Sequence, residues 1–264
     1  MTCLANAIEL RNITKRFGQV VANKSISLEL HKGEILSLLG ENGSGKTTLM
    51  NMLSGIYYPD EGQIFVDGKE VEIRSPKDAF DLHIGMIHQH FKLVDVFTAA
   101  ENIILGLPGD KGKMDKNAVA KAVREIADRY GFDIDPNQKI YEMSVSQKQT
   151  VEIVKVLYRG ADILILDEPT AVLTPQETEK LFSVIRNMKA DGKAVIIITH
   201  KLHEVLSISD RVAILRKGEY VGDIATKDAD EAKLTEMMVG EKVELNIERP
   251  EPVNPVKRLD IEHL

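Results

Sequence analysis

The first third of the chain alternates between apolar and polar residues, which is the period of β-strands. Residues 8–10 and 26–30 alternate in this way, so one face of each predicted strand is apolar. Residues 35–39 are apolar except for Ser37, a composition typical of a strand buried on both faces. Asp67-Gly68 is a strong turn signal within residues 63–71 and predicts a hairpin there. The pattern therefore predicts an antiparallel fringe of strands that leads into a buried strand.

Mainly apolar runs recur later in the chain, and segments with a helical period separate them. Strands are predicted at residues 84–88, 163–166 and 194–199, and a last hairpin at residues 212–221. Helices are predicted at residues 48–53, after Ser75, after the Thr98 and Glu101 capping pair, at residues 119–130 and 147–158, after Thr174, and before Gly240. Buried strands that alternate with helices imply an α/β fold, with a mainly parallel sheet and helices on both of its faces.

Residues 89–160 carry helical signals throughout, unlike the segments on either side. We therefore expect an all-helical insertion inside the α/β core. The predicted division is residues 1–88 for the first part of the core, 89–160 for the insertion and 161–247 for the second part of the core. The helix at residues 119–130 has one apolar face, for which packing within the insertion is favoured over binding to a partner protein.

The last segment, residues 248–264, differs from the rest. Prolines at positions 250, 252 and 255 predict a stiff linker. Residues 259–264 then repeat the order of apolar and charged positions found at residues 8–13. This similarity suggests a tandem protein cut within its second copy, although two amphipathic strands can also match by chance.

A glycine-rich motif lies between the strand at residues 35–39 and the helix at residues 48–53. It reads Gly-x4-Gly-Lys-Thr, and in that context it predicts a phosphate-binding loop rather than a simple turn. Backbone N–H groups and the helix dipole would surround an anion, and a lysine would add a full positive charge. The predicted binding residues are Gly40, Glu41, Asn42, Gly43, Ser44, Gly45, Lys46, Thr47 and Thr48.

Two adjacent carboxylates follow the apolar run at residues 163–166. Ligands of parallel sheets bind at the carboxyl ends of the strands, so Asp167 and Glu168 are expected to face the phosphate loop. In phosphate-loop ATPases an aspartate at this place holds Mg²⁺ and a neighbouring carboxylate orients the attacking water. We assign these roles to Asp167 and Glu168, in that order.

Three single residues and one short motif complete the pattern, at Phe17, at Gln89 after a predicted strand, at residues 143–147, and at His200 after another strand. Together with the phosphate loop and the paired acids, they resemble the ATP-binding cassette of ABC transporters. By this resemblance Phe17 stacks on adenine, Gln89 is in the Q-loop and His200 is the switch histidine. The family signature, usually Leu-Ser-Gly-Gly-Gln, is represented by Met143 followed by Ser144, Val145, Ser146 and Gln147.

The resemblance covers nearly the whole chain and implies a P-loop NTPase core that uses ATP and Mg²⁺. The implied catalytic residues are Lys46, Gln89, Glu168 and His200, and the implied Mg²⁺ ligands are Thr47, Gln89 and Asp167. Within the family the chain is most similar to the N-terminal half of tandem ATPases that serve importers of simple sugars or nucleosides. Expected partners are membrane-spanning permease subunits, a second cassette and, indirectly, a solute-binding protein. The choice between sugar and nucleoside stays open.

Two departures from the family pattern affect the contacts that this domain is expected to make with ATP bound to a partner domain. Ser146 replaces the second signature glycine, so a side chain enters a region of close approach. Residues 171–174 end in Thr174, where the family normally has aspartate. Neither change touches the predicted ATP site of this domain.

Composition narrows the choice of function. The net charge of −7 argues against nucleic-acid binding, and no apolar run approaches the roughly 20 residues that span a bilayer. The N-terminus carries no secretory signal, and the single Cys3 excludes an internal disulfide. We therefore expect a protein at the cytoplasmic face of the membrane, where other subunits span the bilayer.

Alternative interpretations concern both the function and individual residues. The chain could be a cassette ATPase that acts on the ribosome or DNA, or a module that clamps ATP with little hydrolysis. His83, His88 and His90 could bind a metal, but no acid or thiol lies beside them in the sequence. The apolar loop at residues 91–97 is expected to form part of a groove for the permease, with ordinary burial as the alternative.

Overall fold

The protein was analysed as a computed structural model, which describes residues 5–107 and 116–240. In chain order the described residues form β1 (Asn6–Phe17), β2 (Val20–His31), β3 (Ile35–Leu39), α1 (Lys46–Leu53), β4 (Glu61–Val66), β5 (Lys69–Val71), α2 (Pro76–Asp81), β6 (Ile84–Ile87), α3 (Ala99–Ile104), α4 (Lys116–Tyr130), α5 (Val145–Tyr158), β7 (Ile163–Asp167), α6 (Pro175–Ala190), β8 (Ala194–Ile198), α7 (Leu202–Ile208), β9 (Arg211–Arg216), β10 (Glu219–Ala225) and α8 (Glu231–Val239). The predicted helices and hairpins are all present within these residues, with ends that differ by a few positions.

Two sheets form the α/β core. The larger sheet has the strand order β10-β9-β3-β8-β7-β6, in which all neighbours are parallel except β9 and β10. The smaller sheet is antiparallel, with the order β2-β1-β4-β5. A mainly parallel sheet with an antiparallel fringe was expected from the sequence, and this fold class is confirmed.

Each face of the larger sheet has its own apolar core. On one face, α1 packs between the two sheets, where Leu49 and Met52 meet residues of the smaller sheet such as Ile13. On the other face, α6 contributes Phe182 and Ile185, both almost fully buried. Because β3, β7 and β8 are buried along their whole length, their carboxyl ends are held firmly at one edge of the sheet.

Helices α3, α4 and α5 lie between β6 and β7 in the chain and share a separate apolar cluster. Val123 of α4 packs there with Ile103 of α3 and Val154 of α5. The apolar face of α4 therefore packs within this helical region, as predicted. The residue boundaries assigned to the insertion and to the two parts of the core stay predictions.

Alternation along an extended β6 would put His88 and His90 on one face of a strand, but this prediction is wrong, because the pairing of β6 with β7 ends at Ile87 and Leu166. The linker and the repeated strand at residues 248–264 lie outside the described residues, as does Cys3.

None of the helices in the described part of the chain combines the length and apolar composition that crossing a bilayer requires.

Candidate functional site

The glycine-rich motif forms the connection between β3 and α1. Gly45 is the N-cap of α1 and has a φ of +94°, a left-handed conformation that glycine adopts without strain. A Cβ at Gly45 would lie 2.4 Å from the carbonyl oxygen of Ala22, and one at Gly40 would lie 2.2 Å from that of Leu215. The loop is therefore pressed against β2 and β9, and only glycine fits at these two positions.

Lys46 brings a nearly buried positive charge into this loop. Its Nζ donates to the carbonyl oxygens of Gly40 at 2.7 Å and Glu41 at 2.9 Å. Burial lowers the pKa of Lys46, while the carboxylates of Glu168 and Asp167 act in the opposite direction. The ammonium group and the N-terminus of α1 both favour an anion at this place.

Thr47 and Asp167 bring two oxygen atoms to the same point. Thr47 lies in the first turn of α1, and its Oγ1 is 3.4 Å from Oδ2 of Asp167 at the end of β7. Burial, and then the neighbouring Glu168, raise the pKa of Asp167. Hydroxyl and carboxylate oxygens are hard ligands of the kind that Mg²⁺ takes, so the donor set fits this ion.

Glu168 adopts an uncommon backbone conformation, with a φ of +49°. Its N–H donates to the carbonyl of Ile198 at 2.9 Å, and its Oε1 lies 2.8 Å from Nδ1 of His200. Its Oε2 is buried and has no hydrogen-bond partner among the residues that the structure describes. A backbone of this kind is often found at functional sites, and the unused oxygen can accept a hydrogen bond from a ligand.

These side chains line one cleft of about 590 Å³. Its lining includes most of the residues predicted for phosphate, Mg²⁺ and catalysis, namely Asn42, Gly43, Ser44, Gly45, Lys46, Thr47, Thr48, Gln89, Asp167, Glu168 and His200. Residues 20–22 of β2 and the turn at residues 217–218 complete its walls. Gln89 is exposed and lies two residues beyond β6. The acids from β7 thus face the phosphate loop, although they are more than 100 residues away in the sequence.

Other predicted residues lie outside the cleft. The Phe17 ring packs edge-on against Tyr57, with 5.1 Å between centroids, and does not line the cleft. At the start of the loop, Gly40 is buried and Glu41 is exposed, and neither residue lines the cleft.

The residues predicted as the signature, 144–147, lie at the start of α5. Ser144 caps this helix, accepting from the N–H of Gln147 at 3.3 Å. Ser146 and Gln147 line a separate cavity of about 460 Å³ that also borders α6. Within one chain, the signature therefore does not contribute to the lining of the phosphate cleft.

The sequence reasoning missed two supports of the phosphate loop. Asn23 of β2 is fully buried, and its Nδ2 donates to the carbonyl of Gly45 at 3.1 Å. The N–H of Gly218, in the turn between β9 and β10, donates to the carbonyl of Ser44 at 3.2 Å. Asn23 belongs to no local motif, and Gly218 belongs only to the turn of a predicted hairpin, so the sequence contained no signal for this role.

Comparisons with known proteins identify the family to which the chain belongs. Residues 23–171 match the sequence profile of the family described as ABC transporter. The chain is similar to the nucleoside import ATP-binding protein NupA of Lactococcus lactis subsp. cremoris, with 49% identity over 243 residues, or 92% of this chain and 48% of that protein. It is 51% identical, over the same shares, to the guanosine import ATP-binding protein NupO of Bacillus subtilis.

A ribose import ATP-binding protein, RbsA 1 of Rubrobacter xylanophilus, is 46% identical over 238 residues, or 90% of this chain and 48% of that protein. The chain spans about half the length of these curated relatives.

A solved structure with the same architecture is that of MJ1267, an ATP-binding cassette of an ABC transporter in its ADP conformation. It superposes with a TM-score of 0.79 and 26% identity, covering 89% of this chain and 99% of MJ1267. That agreement extends the match beyond the residues of the family profile. Because the profile alone covers more than half of its residues, the chain belongs to the ABC transporter family.

Proposed function

We propose that this chain is the ATP-binding and ATP-hydrolysing part of an importer for nucleosides or simple sugars. The observation that carries the proposal is the convergence of the phosphate loop, Asp167, Glu168 and His200 on one cleft. Each of these groups has a different role in the proposed hydrolysis of a nucleoside triphosphate, and all of them line the same cleft. ATP is the substrate in this proposal, and the products are ADP and phosphate.

In the proposed reaction, the chain's own residues position the substrate and stabilise charge. The loop amides and Lys46 hold the phosphates, since both present positive charge within the same few residues. Glu168 has one oxygen on His200 and a second, unused oxygen that can accept from a water molecule. His200 fixes the direction of that carboxylate, and Gln89 lines the same cleft. Catalysis therefore depends on positioning and preorganised charge.

Thr47 and Asp167, with Gln89 nearby in the lining, would hold Mg²⁺. When bound, the ion neutralises charge on the terminal phosphates. The Asp167 carboxylate is preorganised for this by the hydroxyl of Thr47.

We further propose that permease subunits dock beside α5 and that the chain works at the cytoplasmic face of the membrane. A groove of about 250 Å³ runs between α2, β6 and α5, with an apolar floor that includes Phe80 and Met86. Arg159 and Lys92 also line it, and Nε of Arg159 is buried without an acceptor among the described residues. Such a groove suits an apolar segment that carries an acidic side chain. Of the loop at residues 91–97, only Lys92 reaches this lining.

A second cassette is the other proposed partner. The signature residues lie outside this chain's own cleft, so they are free to meet a nucleotide held by another cassette. The half-length match to the curated relatives supports a tandem arrangement of two cassettes.

For the solute, the relatives named for nucleosides are slightly more identical to this chain than the one named for ribose, which favours nucleosides.

The test compares the parent chain with Lys46→Ala and Glu168→Gln. Mg-ATP binding is measured by calorimetry, and hydrolysis by phosphate release. We expect Lys46→Ala to lose binding, because the loop loses its buried cation. Glu168→Gln should keep binding and lose at least about 100-fold in hydrolysis, since the amide is a far weaker acceptor for the water. Equal phosphate release by the parent and Glu168→Gln would leave only an ATP clamp, and normal binding by Lys46→Ala would refute the site.

A further inference from the structure

The loops that follow β7 and β8 are joined by the contact between Glu168 and His200. A second set of bonds joins the same two loops one or two residues further along the chain. Thr170 lies two residues after Glu168, and Lys201 directly follows His200. Lys201 Nζ donates to the carbonyl oxygen of Thr170 at 2.9 Å and to its Oγ1 at 3.2 Å. The same ammonium group lies 3.0 Å from Oε1 of Glu204, which belongs to α7.

In this group of three residues, the Thr170–Lys201–Glu204 cluster, the polar side-chain groups form hydrogen bonds with one another. The hydroxyl of Thr170 donates to Oε2 of Glu204, so both oxygens of that carboxylate are occupied. The three donor positions of the ammonium group face three oxygen atoms. Thr170 is fully buried and Glu204 is 5% exposed. Because Thr170 and Glu204 are buried, these bonds hold the two loops in one relative position.

The position of these loops decides the geometry of the site. Glu168 is strained at a φ of +49°, and such a conformation persists only where the surroundings enforce it. One restraint is its N–H bond to Ile198 of β8. The Thr170–Lys201–Glu204 cluster supplies another, two residues further along the same loop. A shift of one loop against the other would change the 2.8 Å contact between Glu168 and His200.

We propose that Lys201 and Glu204 are positioning residues for ATP hydrolysis, which act by keeping Glu168 and His200 in contact. The inference rests on the proposed function, because it assumes that Glu168 orients the attacking water. Neither residue lines the cleft, so neither is expected to contact the nucleotide. Their effect should therefore be confined to the rate of the chemical step.

The first test is Lys201→Met, with Lys193→Met as its matched control. Lys193 joins the opposite ends of the same two strands, since its Nζ donates to Ala161 at 2.7 Å and to Asp162 at 3.0 Å. Both variants lose a partly buried lysine bridge between the segments flanking β7 and β8. We expect Lys201→Met to lower kcat by about ten-fold or more, with the Kd for Mg-ATP within about two-fold of the parent. Lys193→Met should leave both values unchanged.

A second pair of variants avoids the uncompensated charge that Lys201→Met leaves on Glu204. Thr170→Ser keeps the hydroxyl and should keep the parental kcat, whereas Thr170→Val removes it and should lower kcat. Circular dichroism and urea unfolding check that each variant is folded. A parental kcat in both folded Lys201→Met and folded Thr170→Val would overturn the proposal, as would an equal loss in Lys193→Met.

A double-mutant cycle separates positioning from general damage. If Lys201 acts through Glu168, then Lys201→Met should add little to the loss already caused by Glu168→Gln. Independent, additive losses would contradict the inference. If Glu168→Gln alone left hydrolysis unchanged, the proposed function itself would fail. A strong effect of Glu168→Gln with none of Lys201→Met would refute only the role of the cluster.

Discussion

Gly45 is the residue at which the phosphate loop should tolerate least change. An alanine there would combine a left-handed backbone with a Cβ placed 2.4 Å from the Ala22 carbonyl and 2.5 Å from Nδ2 of Asn23. Left-handed strain costs about 1–2 kcal/mol, and overpacking a filled site adds about 1–3 kcal/mol. We therefore expect Gly45→Ala to lower the free energy of unfolding by about 2–5 kcal/mol, measured by urea denaturation. Mg-ATP binding should be lost as well, because the start of α1 must shift.

Gly43 provides the control for this prediction, since it lies in the same loop. Its φ is +82°, but an added Cβ would meet nothing within 4 Å. Gly43→Ala should therefore lose only the strain energy, about 1–2 kcal/mol. Equal losses at the two positions would mean that the contact with Ala22 and Asn23 is not what makes Gly45 necessary.

At the scale of elements, the helical region is joined to the core where α4 and α6 end. The hydroxyl of Tyr130 donates to Oδ2 of Asp191 at 2.6 Å, and Arg129 pairs with the same carboxylate. Asn187 donates to the carbonyl of Tyr130 at 3.0 Å. Burial and the bond to Asp191 raise the pKa of Tyr130, so the hydroxyl remains a donor throughout the neutral range. This contact fixes the direction of α4 relative to α6.

Tyr130→Phe should loosen the helical region without unfolding the core. The change removes one hydrogen bond, worth about 1 kcal/mol, and leaves Asp191 paired with Arg129. We expect faster amide hydrogen exchange in α4 and α5, measured by mass spectrometry, with unchanged exchange in β3 and β8. Tyr141 is 62% exposed, so Tyr141→Phe is the control and should alter neither region. Unchanged exchange in α4 after Tyr130→Phe would show that the joint depends on apolar packing alone.

Elements with a local signal could be predicted from the sequence, whereas long-range relations that involve no motif could not. Capping residues such as Thr98 and Thr174 marked helix starts, since each satisfies backbone groups of its own first turn. An apolar run shows that a strand is buried but does not name its neighbours, so the sheet order needed the structure. The same distinction holds in the site. The phosphate loop and the paired acids are local motifs, whereas the support from Asn23 and the Thr170–Lys201–Glu204 cluster join distant segments.

At the scale of the whole molecule, the cleft and the signature are separate surfaces. Glu168 lines the cleft, whereas Ser146 and Gln147 line a cavity beside α6. If a complete site needs both, one chain cannot assemble it alone. The rate of phosphate release per molecule should therefore rise with protein concentration and level off once pairs of chains predominate. Strong turnover that does not depend on concentration would contradict this expectation.

Mixing two inactive variants tests the same idea without relying on concentration. Glu168→Gln keeps its signature and loses the carboxylate that we propose orients the water. Val145→Arg keeps Glu168 and places a bulky charge on the signature, at a side chain that is 43% exposed and so tolerates replacement. In a mixed pair, one site combines the intact Glu168 of one chain with the intact signature of the other. Phosphate release should then exceed the sum of the two variants measured separately, because only the mixed pair contains a complete site. Simple additivity would mean that hydrolysis is completed within a single chain.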